Sequence, residues 1–134
     1  MGKNKYRRRK SRRKNSKGYR GTHDKHIGKV VNRLYHSDII DYDNIERNIE
    51  YSNNRNYSGP TGEIDVLATY LCNDKKYGVI FEVKSTDTAK AFKKAVTQLR
   101  KAKEYLLTKG GYDKIFCFYS TPKYGTRIVR KQNE

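Results

Sequence analysis

Two short stretches of the sequence place acidic and basic residues at a spacing that suits chemistry with a metal ion. They are Gly62-Glu63-Ile64-Asp65-Val66 and Phe81-Glu82-Val83-Lys84. Because alternate residues of a β-strand share one face, Glu63 and Asp65 would point the same way, and so would Glu82 and Lys84. Each stretch would therefore present two polar side chains on one side of a sheet.

The residues around these positions predict how the two stretches meet. Apolar residues alternate with the polar ones and are expected to face a core: Ile64, Val66 and Ala68 in the first stretch, and Val79, Phe81 and Val83 in the second. The polar segment 73–76 predicts a turn, so the two stretches should form a β-hairpin. The hairpin would bring Asp65, Glu82 and Lys84 together at one end of the sheet.

Neighbouring carboxylates repel each other unless a positive charge lies between them. Mg²⁺ supplies such a charge, since it binds one or two carboxylates and keeps positions for water and phosphate oxygen. A bound ion lowers the pKa of water and stabilises charge on a phosphate, and Lys84 could orient that water. Glu63 is an additional candidate acid, and the choice between Mg²⁺ and Mn²⁺ stays open. The same residues also fit a half-exposed strand face with a salt bridge from Lys84 to Asp65 or Glu82.

Hydrophobic periodicity predicts the elements that must position these residues. Thr22 is a candidate N-cap for a first helix, whose apolar face would comprise Ile27, Val30, Val31 and Leu34. Strands are predicted at about 63–71, 77–84 and 114–120, with a short last strand around 127–129. A long helix is predicted at about 89–109, ended by Gly110-Gly111.

Two other segments connect these elements. Residues 37–51 fit either a short helix or a strand, with a strand favoured at 48–52, and residues 52–61 have the composition of a loop. The order helix, strands, helix, strand predicts an α/β fold with a mixed central sheet flanked by helices. The length of 134 residues favours a single domain, which we place at residues 21–134.

The first 20 residues differ sharply from the rest in composition. They contain 11 Lys or Arg and no acid, so a disordered basic arm is expected at 1–20. The arm could lie along phosphates or act only as a solvated tail. Its candidate nucleic-acid-binding residues are Arg7, Arg8, Arg9, Lys10, Arg12, Arg13 and Lys14. The net charge of +17 favours a polyanionic partner, with DNA or RNA ahead of an anionic membrane surface.

The remaining composition bears on location. No apolar stretch approaches the ~20 residues of a membrane span, and no apolar signal-peptide region is present at the N-terminus. A soluble, intracellular, cytoplasmic protein of archaeal, bacterial or viral origin is expected. Cys72 and Cys117 lack the clustered spacing of a zinc site and are expected to be two buried thiols.

The pattern Glu-Ile-Asp, a hairpin and Glu-Val-Lys resembles the PD-(D/E)XK nuclease superfamily over roughly residues 21–120. In that family an Asp ends or bends one strand and a Glu-X-Lys follows on the next. The core of the family is a helix, three strands, a helix and a strand, so the resemblance implies a restriction-endonuclease-like core. Ser85-Thr86 after the lysine is also common there.

The resemblance implies roles for individual residues. Asp65 and Glu82 would be metal ligands, the Val83 carbonyl a third ligand, and Lys84 the catalytic lysine. The proline that gives the motif its name is absent, since Ile64 precedes Asp65. Many members lack this proline.

A second departure concerns the first helix, where members of the family often carry a Glu. This chain has no Glu before Glu46. Asp24 is the best substitute, and His23 or His26 could act instead, as could Glu46 or Glu50 under another helix assignment. An acid such as Asp24 near a helix N-terminus is also explained by the helix dipole alone.

The predicted long helix carries a polar stripe. Lys94, Gln98, Lys101 and Tyr105 follow at i, i+4, i+7 and i+11. Related nucleases often place a Gln and a Tyr of this helix near the site, so Gln98 is an additional candidate, although a solvated basic face explains the stripe equally well. Ser85, Lys94 and Lys101 are the candidate phosphate contacts of this region.

In its short length and strong positive charge, the chain most resembles the archaeal-type Holliday junction resolvases. That resemblance implies a homodimer that nicks branched DNA at paired positions. Two other functions stay open, namely a nuclease of the same fold that cuts single strands, flaps or foreign duplex, and a non-catalytic basic nucleic-acid-binding protein.

Overall fold

The elements alternate in a way that produces one mixed sheet between two helices. The computed structural model describes residues 14–52, 62–122 and 125–129. In chain order the elements are α1 (Lys14–Tyr35), β1 (Asn44–Tyr51), β2 (Gly62–Cys72), β3 (Lys75–Val83), α2 (Ala89–Lys109), β4 (Lys114–Thr121) and β5 (Gly125–Val129). The predicted α/β class with a mixed sheet is confirmed. None of the helices in these ranges is long and apolar enough to cross a membrane.

The five strands lie side by side in sequence order. β3 and β4 are parallel because α2 carries the chain back across the sheet, and the other neighbouring strands are antiparallel. The predicted hairpin joins β2 to β3 through Asn73 and Asp74, whose φ angles are 53° and 67°. Two consecutive positive φ values are the geometry of a two-residue hairpin turn, so the turn is shorter than the predicted 73–76.

Each face of the sheet packs against one helix. On the α2 face, Leu99, Ala102 and Leu106 pack with apolar residues of the strands such as Ile80 and Ile115. The other face, here called the α1 face, has a separate core, whose buried residues are Ile27, Val30, Val66, Ala68, Val79, Phe81 and Val83. The sheet is therefore buried on both sides over the middle of β2 and β3, and Asp65 and Glu82 lie just beyond the end of the β2–β3 pairing.

Two expectations about local structure are wrong, namely the start of the first helix and the burial of Cys72. α1 begins at Lys14 rather than after an N-cap at Thr22, because Lys and Arg are good helix formers and no proline interrupts this segment. Residues 14–20 of the expected arm are thus helical, and residues 1–13 lie outside the described residues. Cys72 is exposed at the end of β2, whereas Cys117 is buried as expected. The segment left open between a helix and a strand forms the strand β1, in agreement with the strand favoured at 48–52.

The pairing of β2 changes at Asp65. Pairing between β1 and β2 is interrupted at Asn48 and Asp65, and Asn48 has a φ of 55°. Ile64 packs on the α2 face, whereas Val66 packs on the α1 face. The expectation that these two residues share a face is therefore wrong, because the interruption breaks the alternation of side chains along the strand. Asp65 lies at the point where the strand changes face.

Candidate active site

The candidate site lies where β2 and β3 separate. Their pairing ends at Val66 opposite Phe81, one residue before Asp65 and Glu82 would meet. β3 stays paired with β4 beyond this point, and the Lys84 amide donates to the Ser120 carbonyl at 3.0 Å. The gap between β2 and β3 therefore opens beside the two acids.

Both acids are withdrawn from water. Asp65 is 5% exposed and Glu82 is 6% exposed. Burial of a charged carboxylate is costly unless a partner compensates the charge, so the protonation of these groups reports how well each is compensated.

Asp65 is held by the main chain of β3. Its Oδ2 accepts a hydrogen bond of 2.8 Å from the Val83 amide and lies 3.7 Å from Nε2 of His23. Burial raises the pKa of Asp65, although the Val83 hydrogen bond and the charges of His23 and Lys84 oppose that rise. The carboxylate is thus oriented by the backbone, while burial keeps its pKa above the ordinary value for an Asp.

Glu82 is the more strongly perturbed acid. Burial, and then the negative charge of Asp65, raises the pKa of Glu82 from 4.5 to about 8. Lys84 opposes the rise, since its Nζ lies 3.4 Å from Oε2 of Glu82. One lysine does not offset two buried carboxylates, and further positive charge in the site would ionise both acids.

His23 contributes to the site from α1. Its Nε2 donates to the Val83 carbonyl at 2.8 Å, so the ring contacts the residue between Glu82 and Lys84. The structure places Asp24, the substitute favoured from the sequence, on the exposed side of the helix, where its own carbonyl accepts from Arg47 at 3.3 Å. His23 lies four residues before the fully buried Ile27, and this spacing puts both on the inner face of α1.

The other candidate acids and His26 lie around or behind this centre. Glu63 is exposed on β2 and pairs across the strands with Glu50. Partial burial, and then the charges of Asp65 and Glu50, raises the pKa of Glu63. His26 is buried against Oγ of Ser120 at 3.1 Å, and burial, followed by nearby positive charges, lowers its pKa. His26 therefore packs behind the site.

A polar cavity adjoins Lys84 where α2 begins. It has a volume of about 240 Å³, and its polar lining residues are Lys84, Ser85, Thr86, Thr88, Lys90 and Lys94. Thr88 caps the helix by accepting from the Ala91 amide at 3.0 Å. The lysines lie at the positive end of the helix dipole, an arrangement that favours an anion there. Two candidates, Ser85 and Lys94, thus lie beside the catalytic lysine candidate.

The stripe on α2 is only partly directed at this region. Gln98 and Lys101 are exposed, whereas Asp65 and Glu82 are buried. Tyr105 is half-buried against the ring of Tyr51, with centroids 4.9 Å apart. Tyr105 therefore packs in the core, since its ring lies inside the sheet–helix interface.

A cluster that the sequence pattern did not reveal fixes the loop after Lys84. Asp87 accepts from Nη2 of Arg127 at 3.1 and 3.2 Å and from the hydroxyl of Tyr119 at 3.1 Å. Burial, followed by the neighbouring Asp87, raises the pKa of Tyr119 to about 12, which keeps its hydroxyl a donor. The Arg127 guanidinium also lies over the rings of Phe92 and Tyr119. β4 and β5 thereby hold the loop that carries Ser85.

The donor set suits a hard divalent cation. Two buried carboxylates and the Val83 carbonyl provide oxygen ligands, and a carbonyl with two lone pairs can keep its His23 bond while it binds an ion. Among residues 14–52, 62–122 and 125–129, no group of three or more His, Cys, Asp or Glu side chains is arranged to hold a metal. Any metal here would therefore depend on backbone oxygen and water for its remaining ligands.

Comparison with known proteins does not assign the chain to a family. No protein-family model matches it, and no curated protein is significantly similar to it.

Proposed function

We propose that the chain is a metal-dependent endonuclease that hydrolyses phosphodiester bonds in DNA. The observation that carries the proposal is the pair of buried acids at the end of the β2–β3 pairing, with Lys84 3.4 Å from Glu82. The raised pKa of Glu82, about 8, supports the proposal because it indicates a site short of positive charge. A surface strand face with an ordinary salt bridge would instead leave both carboxylates hydrated.

The chain's own residues divide the work of hydrolysis between them. Asp65, Glu82 and the Val83 carbonyl would hold Mg²⁺ or Mn²⁺. When bound, such an ion activates water and stabilises negative charge on the phosphate. Lys84 would orient the attacking water, whose oxygen bonds to phosphorus as the phosphorus–oxygen bond to the leaving group breaks. The attacking water gives up a proton to solvent, and the leaving oxygen takes up a proton from solvent. His23 would position the Val83 carbonyl.

The cavity beside Lys84 supports nucleic acid as the substrate. Its lysines and hydroxyls suit a phosphate next to the scissile one. The net charge of +17 favours any polyanionic strand and does not by itself select a sequence. We further propose that the protein is a member of the PD-(D/E)XK superfamily with a restriction-endonuclease-like core, and that a homodimer of it cuts branched DNA.

The second candidate function is a nuclease of the same fold that acts on single strands, flaps or foreign duplex. The cavity beside Lys84 supports this candidate as well, because its lysines and hydroxyls suit a phosphate of any strand. A non-catalytic nucleic-acid-binding protein is the third candidate, but it does not explain why two acids are buried together.

A panel of labelled substrates of matched length separates these candidates. Wild type and Glu82→Gln are incubated with a four-way junction, a flap, a duplex and a single strand, in Mg²⁺, Mn²⁺ and EDTA. Paired symmetric nicks on the junction alone would establish a resolvase, and cutting of the flap or single strand would establish the broader nuclease. Tight binding of all four with no cutting in either metal would refute the proposed enzyme.

A further inference from the structure

The exposed face of α2 carries a dense set of cations between residues 90 and 101. Its exposed basic side chains are Lys90, Lys93, Lys94, Arg100 and Lys101. The apolar residues of the same helix, such as Leu99 and Leu106, pack against the sheet. Within the described residues none of these five cations forms a salt bridge, although Glu104 lies within about one turn of Arg100 and Lys101.

This arrangement of charge is unfavourable for an isolated helix. The first turn of α2 contains no acid, and Lys90 lies there, at the end where the helix dipole is positive and disfavours cations. Lys90 also stands three and four residues before Lys93 and Lys94, a spacing at which like charges repel each other. A surface helix gains stability from the opposite pattern, with acids at its start. The cations are therefore better explained by an anionic partner than by the stability of α2.

Four of the cations form two rows along the helix, here called the Lys93 row and the Lys94 row. Lys93 and Arg100 are seven residues apart, as are Lys94 and Lys101, so each row spans two turns, or roughly 10 Å. Because neighbouring residues are ~100° apart around a helix, the rows lie on either side of the exposed Thr97. Two such rows suit the two phosphate backbones that border a groove of a duplex, whereas a single strand would contact only one row.

The basic face begins at the candidate active site. Lys90 and Lys94 line the same cavity as Lys84. From there α2 runs back along the sheet towards the start of β4, away from the candidate site. Between Lys90 and Lys101 the helix rises roughly 17 Å, which equals about five phosphates at ~3.4 Å along one strand of a duplex. A nucleic acid on α2 would therefore extend from the site in one direction.

The surroundings of the two rows favour nucleic acid over a membrane surface. Of the neighbouring acids, Asp87 already accepts from Arg127 and Tyr119, and Glu104 lies beyond the last cation of the rows. A helix that binds lipid presents apolar side chains to the membrane. Between residues 89 and 101 no large hydrophobic side chain is exposed, and Leu107 is the first exposed one along α2.

We propose that α2 binds a paired arm of a nucleic acid, with the Lys93 row on one phosphate backbone and the Lys94 row on the other. The inference rests on the proposed nuclease for the position of the cut, and it adds a requirement to the substrate. A paired arm of about five base pairs is needed on the α2 side of the scissile phosphate. A nuclease that cut only single strands would have no use for the second row.

Binding in EDTA tests this surface without any cleavage. Fluorescence anisotropy follows a labelled duplex and a labelled single strand of equal length over a range of salt concentrations. One double variant removes the Lys93 row, Lys93→Gln with Arg100→Gln, and another removes the Lys94 row, Lys94→Gln with Lys101→Gln. Gln has nearly the helix propensity of Lys and Arg, so α2 should stay folded. The matched control is Lys75→Gln with Lys114→Gln, which removes two exposed cations at the opposite end of the sheet.

The salt dependence of binding gives the expected result. For the duplex, each row variant should make the slope of the logarithm of the binding constant against the logarithm of salt concentration less steep by about 1.8, at ~0.9 per lost phosphate contact. The control should keep the wild-type slope. For the single strand, only one row variant should change the slope, by about 1.4 at ~0.7 per contact.

Three results would overturn the proposal. They are unchanged duplex slopes in the row variants, an equal change of slope in the control, and equal effects of both row variants on the single strand. Sedimentation with phosphatidylserine vesicles provides a fourth. Vesicle binding that both row variants lose while they keep duplex binding would make α2 a membrane surface instead.

Cleavage in Mg²⁺ separates this inference from the proposed nuclease. Branched substrates whose arms are shortened one at a time should lose cleavage when one particular arm falls below about five base pairs. Each row variant should cut the full-length substrate as weakly as the wild type cuts the shortened one. Cleavage by wild type that ignores the length of every arm would refute the placement of an arm on α2. The expected slopes without any cleavage would refute the nuclease and support the duplex-binding surface alone.

Discussion

The replacement of Glu82 by Gln gives a prediction whose magnitude follows from the site. The folded protein holds the Glu82 proton with a pKa of about 8, against 4.5 for an ordinary Glu, because the carboxyl group is buried beside Asp65. Because the folded state binds this proton more tightly than the unfolded state does, it gains stability that is fully present below the unfolded pKa of 4.5. That stability is lost as the pH rises through the folded pKa of about 8. Without metal, the free energy of unfolding should therefore fall between these two pH values.

The size of the fall can be worked from the shift. One pKa unit corresponds to ~1.36 kcal/mol, so the wild-type free energy of unfolding should drop by roughly 4 kcal/mol from about pH 5 to about pH 9. Glu82→Gln removes the titrating group and should flatten this profile, making the variant the more stable protein at alkaline pH. Asp65 also lowers the free energy of unfolding as the pH rises, since its pKa is raised too. The contribution of Asp65 remains in the Glu82→Gln variant.

Urea unfolding followed by circular dichroism measures the effect in EDTA across this pH range. Glu104→Gln, which changes an exposed acid of α2, is the matched control and should keep the wild-type profile. Added Mg²⁺ or Mn²⁺ should stabilise the wild type at alkaline pH, by ~2.7 kcal/mol at a hundred times Kd, and should leave Glu82→Gln nearly unchanged. Parallel profiles for wild type and Glu82→Gln would contradict this prediction, because Glu82 would then be a hydrated surface acid.

Four further variants test other parts of the account. Lys84→Ala should abolish cleavage yet still bind metal in a calorimetric titration, and lost metal binding would contradict its role. His23→Ala should weaken metal affinity about 10- to 100-fold, since the Val83 carbonyl loses its partner, and unchanged affinity would remove His23 from the site. Deleting residues 1–13, which contain eight Lys or Arg, should flatten the salt dependence of DNA binding. The slope of the logarithm of the binding constant against the logarithm of salt concentration should become less steep by up to ~0.9 per lost phosphate contact, and an unchanged slope would exclude contact with phosphate. Arg127→Ala should lower the turnover rate because it loosens the loop after Lys84, and full turnover would contradict a positioning role. The loss of stability should be only about 1 kcal/mol, because the ion pair between Arg127 and Asp87 is half-exposed.

The sequence predicted those elements whose periodicity is strong. α2 has the predicted limits because its apolar residues keep the helical period, Thr88 caps it and Gly110 ends it. β2, β3 and β4 lie within two residues of their predicted limits, since each is a run of apolar residues bounded by polar turns. Alternation along β3 also predicted that Glu82 and Lys84 meet, as they do at 3.4 Å.

Features that depend on two distant segments were not predictable. The change of face at Asp65 requires Asn48 of β1 to take a positive φ, and neither residue signals this by itself. The choice of His23 over Asp24 follows from how α1 is rotated on the sheet, which a helix with few aliphatic residues leaves undetermined. The start of α1 was missed because a run of Lys and Arg has the composition of a disordered arm as well as good helix propensity.

The central claim is that Asp65 and Glu82 together support metal-dependent cleavage. Its most direct test is conversion of supercoiled plasmid to nicked circles in Mn²⁺, in Mg²⁺ and in EDTA, for wild type, Asp65→Asn, Glu82→Gln and the control Glu104→Gln. We expect nicking by wild type and the control in metal only, and none by either site variant, with DNA binding retained by all four. Nicking by Asp65→Asn or Glu82→Gln at the wild-type rate, or by wild type in EDTA, would contradict it.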